Sequence, residues 1–205
     1  MTNDVKTDLA CISSIVDYVL DVHKVKVSWR IVCLDDKEWR KIMEEKSALD
    51  TASYEFWKRI PELLHAQKND IDPLTVSNLR EAIRLAKQST VEYGTVPSLA
   101  DYLAANAMVV HVNTMLNSEK WPPGHLQPFT LEMAKKNRHM DFLIFINSSS
   151  SSSFSNASHD EKLNILAHEA LHIVNSVRNL PKSSVESIET RAEKLVSDFK
   201  KRARK

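Results

Sequence analysis

The residues best equipped for chemistry stand together at Leu166-Ala-His168-Glu169-Ala-Leu-His172-Ile-Val. Two histidines four apart lie one above the other on one face of an α-helix. From that single rigid element both ring nitrogens can reach one metal ion. Glu169 follows the first histidine and projects beside such an ion rather than onto it, placed to take a proton from a water that the metal acidifies. Such a site needs a third protein donor. A third histidine would require glycine where Asn175 stands and histidine where Arg178 stands, so that version fails. A carboxylate on a following helix works. Sixteen residues separate His172 from Glu189, enough for a helix end, a turn around Pro181 and a return. Glu189 is therefore the candidate third ligand. Glu193, one turn further on, is placed to accept a hydrogen bond from the free ring N–H of a ligating histidine and fix its tautomer. Small Ala192 between them allows close helix approach. Glu186 is the alternative ligand, but it has a competing task in a capping box with Ser183. The plain alternatives are stacked histidines satisfied by core neighbours and a solvated acidic helix face.

These side chains must be held by the elements around them. A capping box, Ser158 with Glu161, opens the histidine helix, which is expected to run to about Asn179. Leu163, Leu166, Ala170, Val174 and Val177 form one apolar stripe on it, with Ile165 and Ile173 flanking. A helix apolar on two sides is central, so the histidines should face the interior or a cleft. The final helix carries Val185, Ile188, Ala192, Leu195 and Phe199 in line. Upstream, Asp141 to Asn147 is a short apolar strand, expected to offer an edge to an extended peptide. Ser148 to Ser153 are six consecutive serines, read as a flexible surface loop or a mobile lid.

The first 140 residues begin with a helix at about 5–23, on the spacing of Leu9, Ile12, Val16 and Val19. Val25 to Cys33 alternates as a strand with one polar face. Asp35 and Asp36 can cap a helix holding Trp39, Ile42 and Met43. Residues 50–90 read as interrupted helix, with Pro61 breaking or starting an element and a new start at Asp72-Pro73. Ser98 to Asp101 starts another helix, Met108 to Val112 is its tail or a strand, and Trp121 to Pro128 is a turn-rich loop. The pattern is α+β, helix-rich with a small mixed sheet. It divides into residues 1–140, either part of the same domain or a substrate- or partner-binding part, and a core at 141–205.

The chain's 205 residues bury a core without staples, and its hydrophobic and charged fractions of 42% and 27% are those of an ordinary globular chain. Two lone cysteines, Cys11 and Cys33, exclude a disulfide framework and a thiolate metal cage, and fit a reducing compartment. Two glycines, Gly94 and Gly124, exclude Gly-rich phosphate loops. With 28 basic against 27 acidic residues there is no global pull toward nucleic acid or anionic lipid. The start of the chain lacks the basic and apolar regions of a signal peptide, and no run is long enough to span a membrane. The expectation is a cytoplasmic protein with no membrane partner. The basic tail, Lys200 to Lys205, reads as a solvated helix end, with nucleic-acid contact as the alternative.

On these motifs, residues 142–199 resemble the zincin metallopeptidases with a glutamate third ligand, the gluzincin group. The order strand, loop, His-Glu-x-x-His helix, turn, Glu-x-x-Ala-acid helix is nearest to ImmA/IrrE-type and phage-encoded peptidases. Leu171 stands where that subfamily has glycine, and Glu193 where it has asparagine or aspartate. The resemblance implies a zincin-like fold around a central His-Glu-x-x-His helix, with Zn2+ held by His168, His172 and Glu189 and Glu169 as general base. It implies a zinc endopeptidase acting on a protein or peptide substrate. The alternative is a catalytically inactive zincin-fold binding or regulatory protein. No residue after His172 supplies the histidine or tyrosine that usually supports the oxyanion. Tyr102, His111, His159 and Arg178 are candidates among which the sequence does not choose.

Overall fold

A strand with five successive apolar side chains, Phe142 to Ile146, is stable only with cover on both faces. The computed structural model, which describes residues 3–66, 98–118, 127–179 and 187–203, provides that cover. The fold is α+β, with eight helices and a three-stranded mixed sheet among the described residues. In chain order the elements are α1 (Asn3–Val22), β1 (Trp29–Leu34), α2 (Asp36–Ala66), α3 (Leu99–Leu103), β2 (Ala107–His111) and α4 (Val112–Ser118). There follow α5 (Pro128–Lys136), β3 (Phe142–Asn147), α6 (Ser153–Asn156), α7 (His159–Arg178) and α8 (Ile188–Ala203).

The strand order is β1-β3-β2. β1 runs parallel to β3, with Trp29 opposite Phe142, and β2 runs antiparallel, with His111 opposite Phe142. The strand expected to offer an edge is therefore the centre of the sheet, its hydrogen bonds taken on both sides. Among the described residues the open edge nearest α7 belongs to β2. Because β1 and β2 both pair with β3, the segments before and after residue 141 share one sheet.

Alternation along β3 feeds two cores. Phe142, Ile144 and Ile146 pack with Ile12, Val16 and Val19 of α1, Leu166 and Ala170 of α7, and Ala192 and Val196 of α8. Leu143 and Phe145 pack on the other face with Trp39, Ile42 and Met43 of α2, Met115 of α4 and Ala134 of α5. β1 also serves both faces. Trp29, Ile31 and Cys33 join the first core, while Val32 and Leu34 join the second. Of the expected polar face, Arg30 is exposed and Val32 packs into the second core, while Val25 to Ser28 lie outside the strand.

Local chemistry explains the helix ends. The Asp35 carboxylate accepts from the Glu38 amide at 2.8 Å and Glu38 returns the bond to the Asp35 amide at 3.1 Å, opening α2 with a capping box. α2 then continues through Pro61 to Ala66, so this proline does not end the element as expected. Pro128, assigned to a loop from sequence, is the first residue of α5. Its cap comes from another helix: Glu45 of α2 accepts from the amides of Phe129 and Thr130 at 2.6 and 2.9 Å. Met108 to His111 is strand, following a short α3 that is capped by Ser98 and Asp101. The Asp72-Pro73 helix start, most of the Trp121 to Pro128 segment, and the Ser183–Glu186 capping box lie outside the described residues.

The serine run is a surface segment of bends and turns tied down by hydrogen bonds. Ser149 and Ser151 donate their hydroxyls to Asp36 at 2.6 and 3.1 Å, Asn147 adds a bond at 3.2 Å, and Ser148 donates to the Leu34 carbonyl at 3.1 Å. The last of the six, Ser153, begins α6. Short hydroxyl side chains suit this work because each can bond locally to backbone or a nearby carboxylate.

The other end of β3 is pinned by Asp141. Its carboxylate accepts the Ser28 amide at 2.7 Å and hydroxyl at 2.8 Å, and these bonds hold it below the usual aspartate range. A depressed carboxyl pKa contributes stability above the unfolded value, 3.8, which is lost as pH falls through the folded value. Asp141→Ala is expected to cost about 1–2 kcal/mol at pH 7, given charge-assisted bonds at a partly solvated site. Urea unfolding at pH 7 and at a pH well below 3.8 checks this, since the difference between variant and wild type should narrow only as pH falls through the depressed folded value. Among the described residues no helix is long and apolar enough to cross a membrane.

Candidate metal centre

α7 opens as its sequence dictates, with Ser158 and Glu161 forming a reciprocal cap, and closes at Asn179, whose φ of 49° is the left-handed turn that asparagine tolerates. Leu163, Leu166, Ala167, Ala170, Leu171, Ile173 and Val174 are buried, whereas Val177 is 45% exposed and leaves the expected stripe. This packing fixes the helix rotation, so His168 and His172 emerge together on the wall of a cleft of ≈ 890 Å³. His168 is half-buried and His172 is exposed.

The two Nε2 atoms lie 2.9 Å apart, with the rings at 65° to each other. Two imidazoles on one tetrahedral zinc, each ~2.0–2.1 Å from it, would hold these nitrogens ~3.3 Å apart. The two nitrogens, which lie within hydrogen-bond distance of each other, are therefore close enough to share one ion. Burial holds the His168 imidazole below its usual pKa, with Glu189 pulling the other way. That favours the neutral ring, which has a lone pair to give.

Glu169 is 8% exposed. Burial raises its carboxyl to about 7, and a hydrogen bond from the Val109 amide partly offsets this. The bond ties Glu169 to β2. In an antiparallel pair alternate amides point away from the partner strand. The Val112 amide donates to the Asp141 carbonyl across the ladder, so Val109 lies in the outward-facing set. Glu169 lines the same cleft as the two histidines.

Glu189 opens α8 and faces the cleft. Its Oε1 lies 3.7 Å from His168 Nδ1, beyond hydrogen-bond reach and on the ring edge away from His172. Its own backbone amide, a Ser187 hydroxyl and the two imidazoles hold its carboxyl below the usual range. Among the described residues no three His, Cys, Asp or Glu side chains form a cage that could hold a metal as they stand. The donor set nevertheless suits zinc: two imidazoles and a carboxylate from a second helix. Glu189 is 69% exposed, its carboxylate held by hydrogen bonds from its own amide and Ser187 and not by packing. Glu193 is exposed on the same rim. The carboxylate beside His168 Nδ1 is that of Glu189, a place expected for Glu193. Ala192 is buried at the α7–α8 contact, as its size predicts. Glu186 lies outside the described residues.

The opposite wall was not legible from motif spacing. It carries Tyr102 of α3, His111 and Val109 of β2, and Lys46 of α2. Tyr102 donates its hydroxyl to Asp50 at 2.7 Å, Asp50 is paired with Lys46, and Lys46 sits 5.7 Å from the Tyr102 ring centre. The Tyr102 hydroxyl is raised well above its usual pKa by burial and by Asp50. Backbone amides leave no signal in a sequence. His111 is visible there only as a residue type. His159 and Arg178 lie outside the cleft, and Arg178 donates to the His23 carbonyl.

No family model matches this chain, and neither the curated proteins nor the solved structures contain a match to it.

Proposed function

We propose that this protein is a zinc-dependent endopeptidase of the gluzincin type. One observation carries the reading: two histidine Nε2 atoms converge beside a buried glutamate whose carboxyl is raised to about 7, at an open cleft. His168, His172 and Glu189 would hold the ion. Bound there, zinc supplies a Lewis acid for a carbonyl and acidifies water near neutral pH. Glu169 accepts the proton as water attacks the scissile amide and passes it to the leaving nitrogen. A base works best with a pKa near the operating pH, and burial supplies that shift. The Val109 amide fixes the carboxylate in place. The outer edge of β2 accepts an extended peptide as a further strand, a role the sequence reading gave to β3. A cytoplasmic setting remains part of this proposal.

A second reading, a binding protein on the same scaffold, draws on the outward position of Glu189. Metal and activity separate the two. Purified protein with one zinc per chain and cleavage of a mixed peptide library supports the enzyme. Full zinc occupancy without cleavage supports the binding protein.

Glu189→Ala tests the ligand set. It should weaken zinc binding by more than the ~10–100-fold typical of an outer-shell partner, while Glu193→Ala stays within that range. A chromophoric chelator competition reads both, and equal small effects would remove Glu189 from the ligand set. Within the basic tail Lys200 pairs with Asp160 at 2.5 Å, Lys201 with Asp198 at 3.2 Å, and Arg202 lies 5.1 Å from the Tyr18 ring centre; Arg204 and Lys205 lie outside the described residues.

A further inference from the structure

Attack on an amide puts negative charge on the carbonyl oxygen, and a fixed donor aimed at that oxygen lowers the barrier. Of the four side chains that the sequence leaves in contention, the geometry removes three. His159 and Arg178 do not line the cleft, and the Tyr102 hydroxyl is given to Asp50. His111 remains. It ends β2, two residues beyond Val109, whose amide holds Glu169. Residues two apart on a strand point to the same face about 7 Å apart, so His111 and Val109 address the same cleft. The His111 ring is immobilised twice. It stacks on Phe142 with ring centres 4.7 Å apart and planes at 24°, and its Nδ1 lies 2.5 Å from Thr114 Oγ1. Nδ1 is thereby committed, which leaves Nε2 as the ring nitrogen for a ligand. In the tautomer with the proton on Nε2, Thr114 is the donor of the bond to Nδ1.

We propose that His111 is a catalytic residue that donates a hydrogen bond from Nε2 to the oxygen of the scissile carbonyl as that oxygen becomes anionic. This rests on the peptidase reading and adds to it the group that β2 contributes to the reaction. No bond to His111 forms or breaks; the ring stabilises charge and Glu169 carries the proton.

The test uses the full-length, zinc-loaded protein, with His111→Phe, His111→Gln and Thr114→Val. His111→Phe keeps an aromatic ring against Phe142 and removes the donor. Its kcat should fall about 10²–10³-fold, with KM within about threefold and zinc content unchanged. Calorimetry supplies a readout apart from turnover. A panel of N-phosphoryl dipeptides, each a tetrahedral anion, should bind His111→Phe more weakly by a similar factor. Peptide substrate binding measured in Glu169→Gln should be nearly insensitive to the added His111→Phe. His111→Gln, which retains a donor, should recover part of both losses, and it carries the same comparison where the phenylalanine variant does not fold. Thr114→Val, which frees the ring, should lose about tenfold. An active wild type with His111→Phe, or failing that His111→Gln, equal to it in kcat and in N-phosphoryl dipeptide affinity overturns the inference alone. A zinc-loaded wild type that neither cleaves peptides nor binds any N-phosphoryl dipeptide overturns both it and the peptidase reading.

Discussion

Glu169→Gln is expected to retain one zinc per chain and to lose peptide cleavage by about 10²–10⁴-fold, the contribution of a positioned general base. Glutamine keeps the shape of the side chain and an oxygen for the Val109 amide. What it removes is the ability to accept a proton from the attacking water. Retained proteolysis in a zinc-loaded variant would falsify the mechanism.

The same substitution has a second, independent signature in metal-stripped protein. Burial raises the Glu169 carboxyl from 4.5 to about 7. A raised carboxyl pKa means that the folded state prefers the neutral form. The contribution to stability is complete below 4.5 and is lost as pH rises through about 7, where the buried group must ionise. At pH 8 the wild type therefore carries the full cost of a buried anion, on the order of 3 kcal/mol at 1.36 kcal/mol per pH unit. Glutamine carries none. Metal-free Glu169→Gln should accordingly be more stable than wild type at pH 8, with the gap closing toward pH 4.5. Denaturant curves across that interval check both size and sign. A variant less stable than wild type at pH 8 would mean that the carboxylate is solvated rather than buried.

The other large effect is on the metal itself. His168→Ala should reduce zinc affinity well beyond the ~10–100-fold that an outer-shell partner contributes. It removes one of the two nitrogens that converge at 2.9 Å and leaves His172 without its counterpart. Ligand that binds only the folded state at 100 times its dissociation constant adds about 2.7 kcal/mol. Zinc should thus raise the melting temperature of the wild type and leave that of His168→Ala unmoved. Because His168 projects into a cleft, the metal-free variant should melt close to the metal-free wild type. Equal thermal responses to zinc in the two proteins would show that these histidines are not the metal site.

The site and the fold divide between what sequence spacing fixes and what packing decides. Helical geometry is local. His168 and His172 share a face because they are four apart, Glu169 projects beside them, and Ser158 with Glu161 caps the helix, all without reference to the rest of the chain. The buried α1 stripe and the apolar run of β3 were legible for the same reason, since each is a period written in adjacent residues. Sheet order is not local. Nothing in Phe142 to Ile146 says that β1 and β2 flank it, so the sheet edge passed from β3 to its neighbours only when three distant segments paired. The serine run looked mobile because serine composition suits loops; Asp36, more than a hundred residues away, orders it through hydroxyl bonds. Likewise, spacing brought Glu189 to the right helix, but its side-chain direction depends on how α8 leans on α7, which places it on the Nδ1 side of His168. The raised carboxyl of Glu169 and the facing His111 ring are wholly tertiary. Desolvation and cross-strand contacts arise from surroundings, and a sequence records those only after the chain has folded.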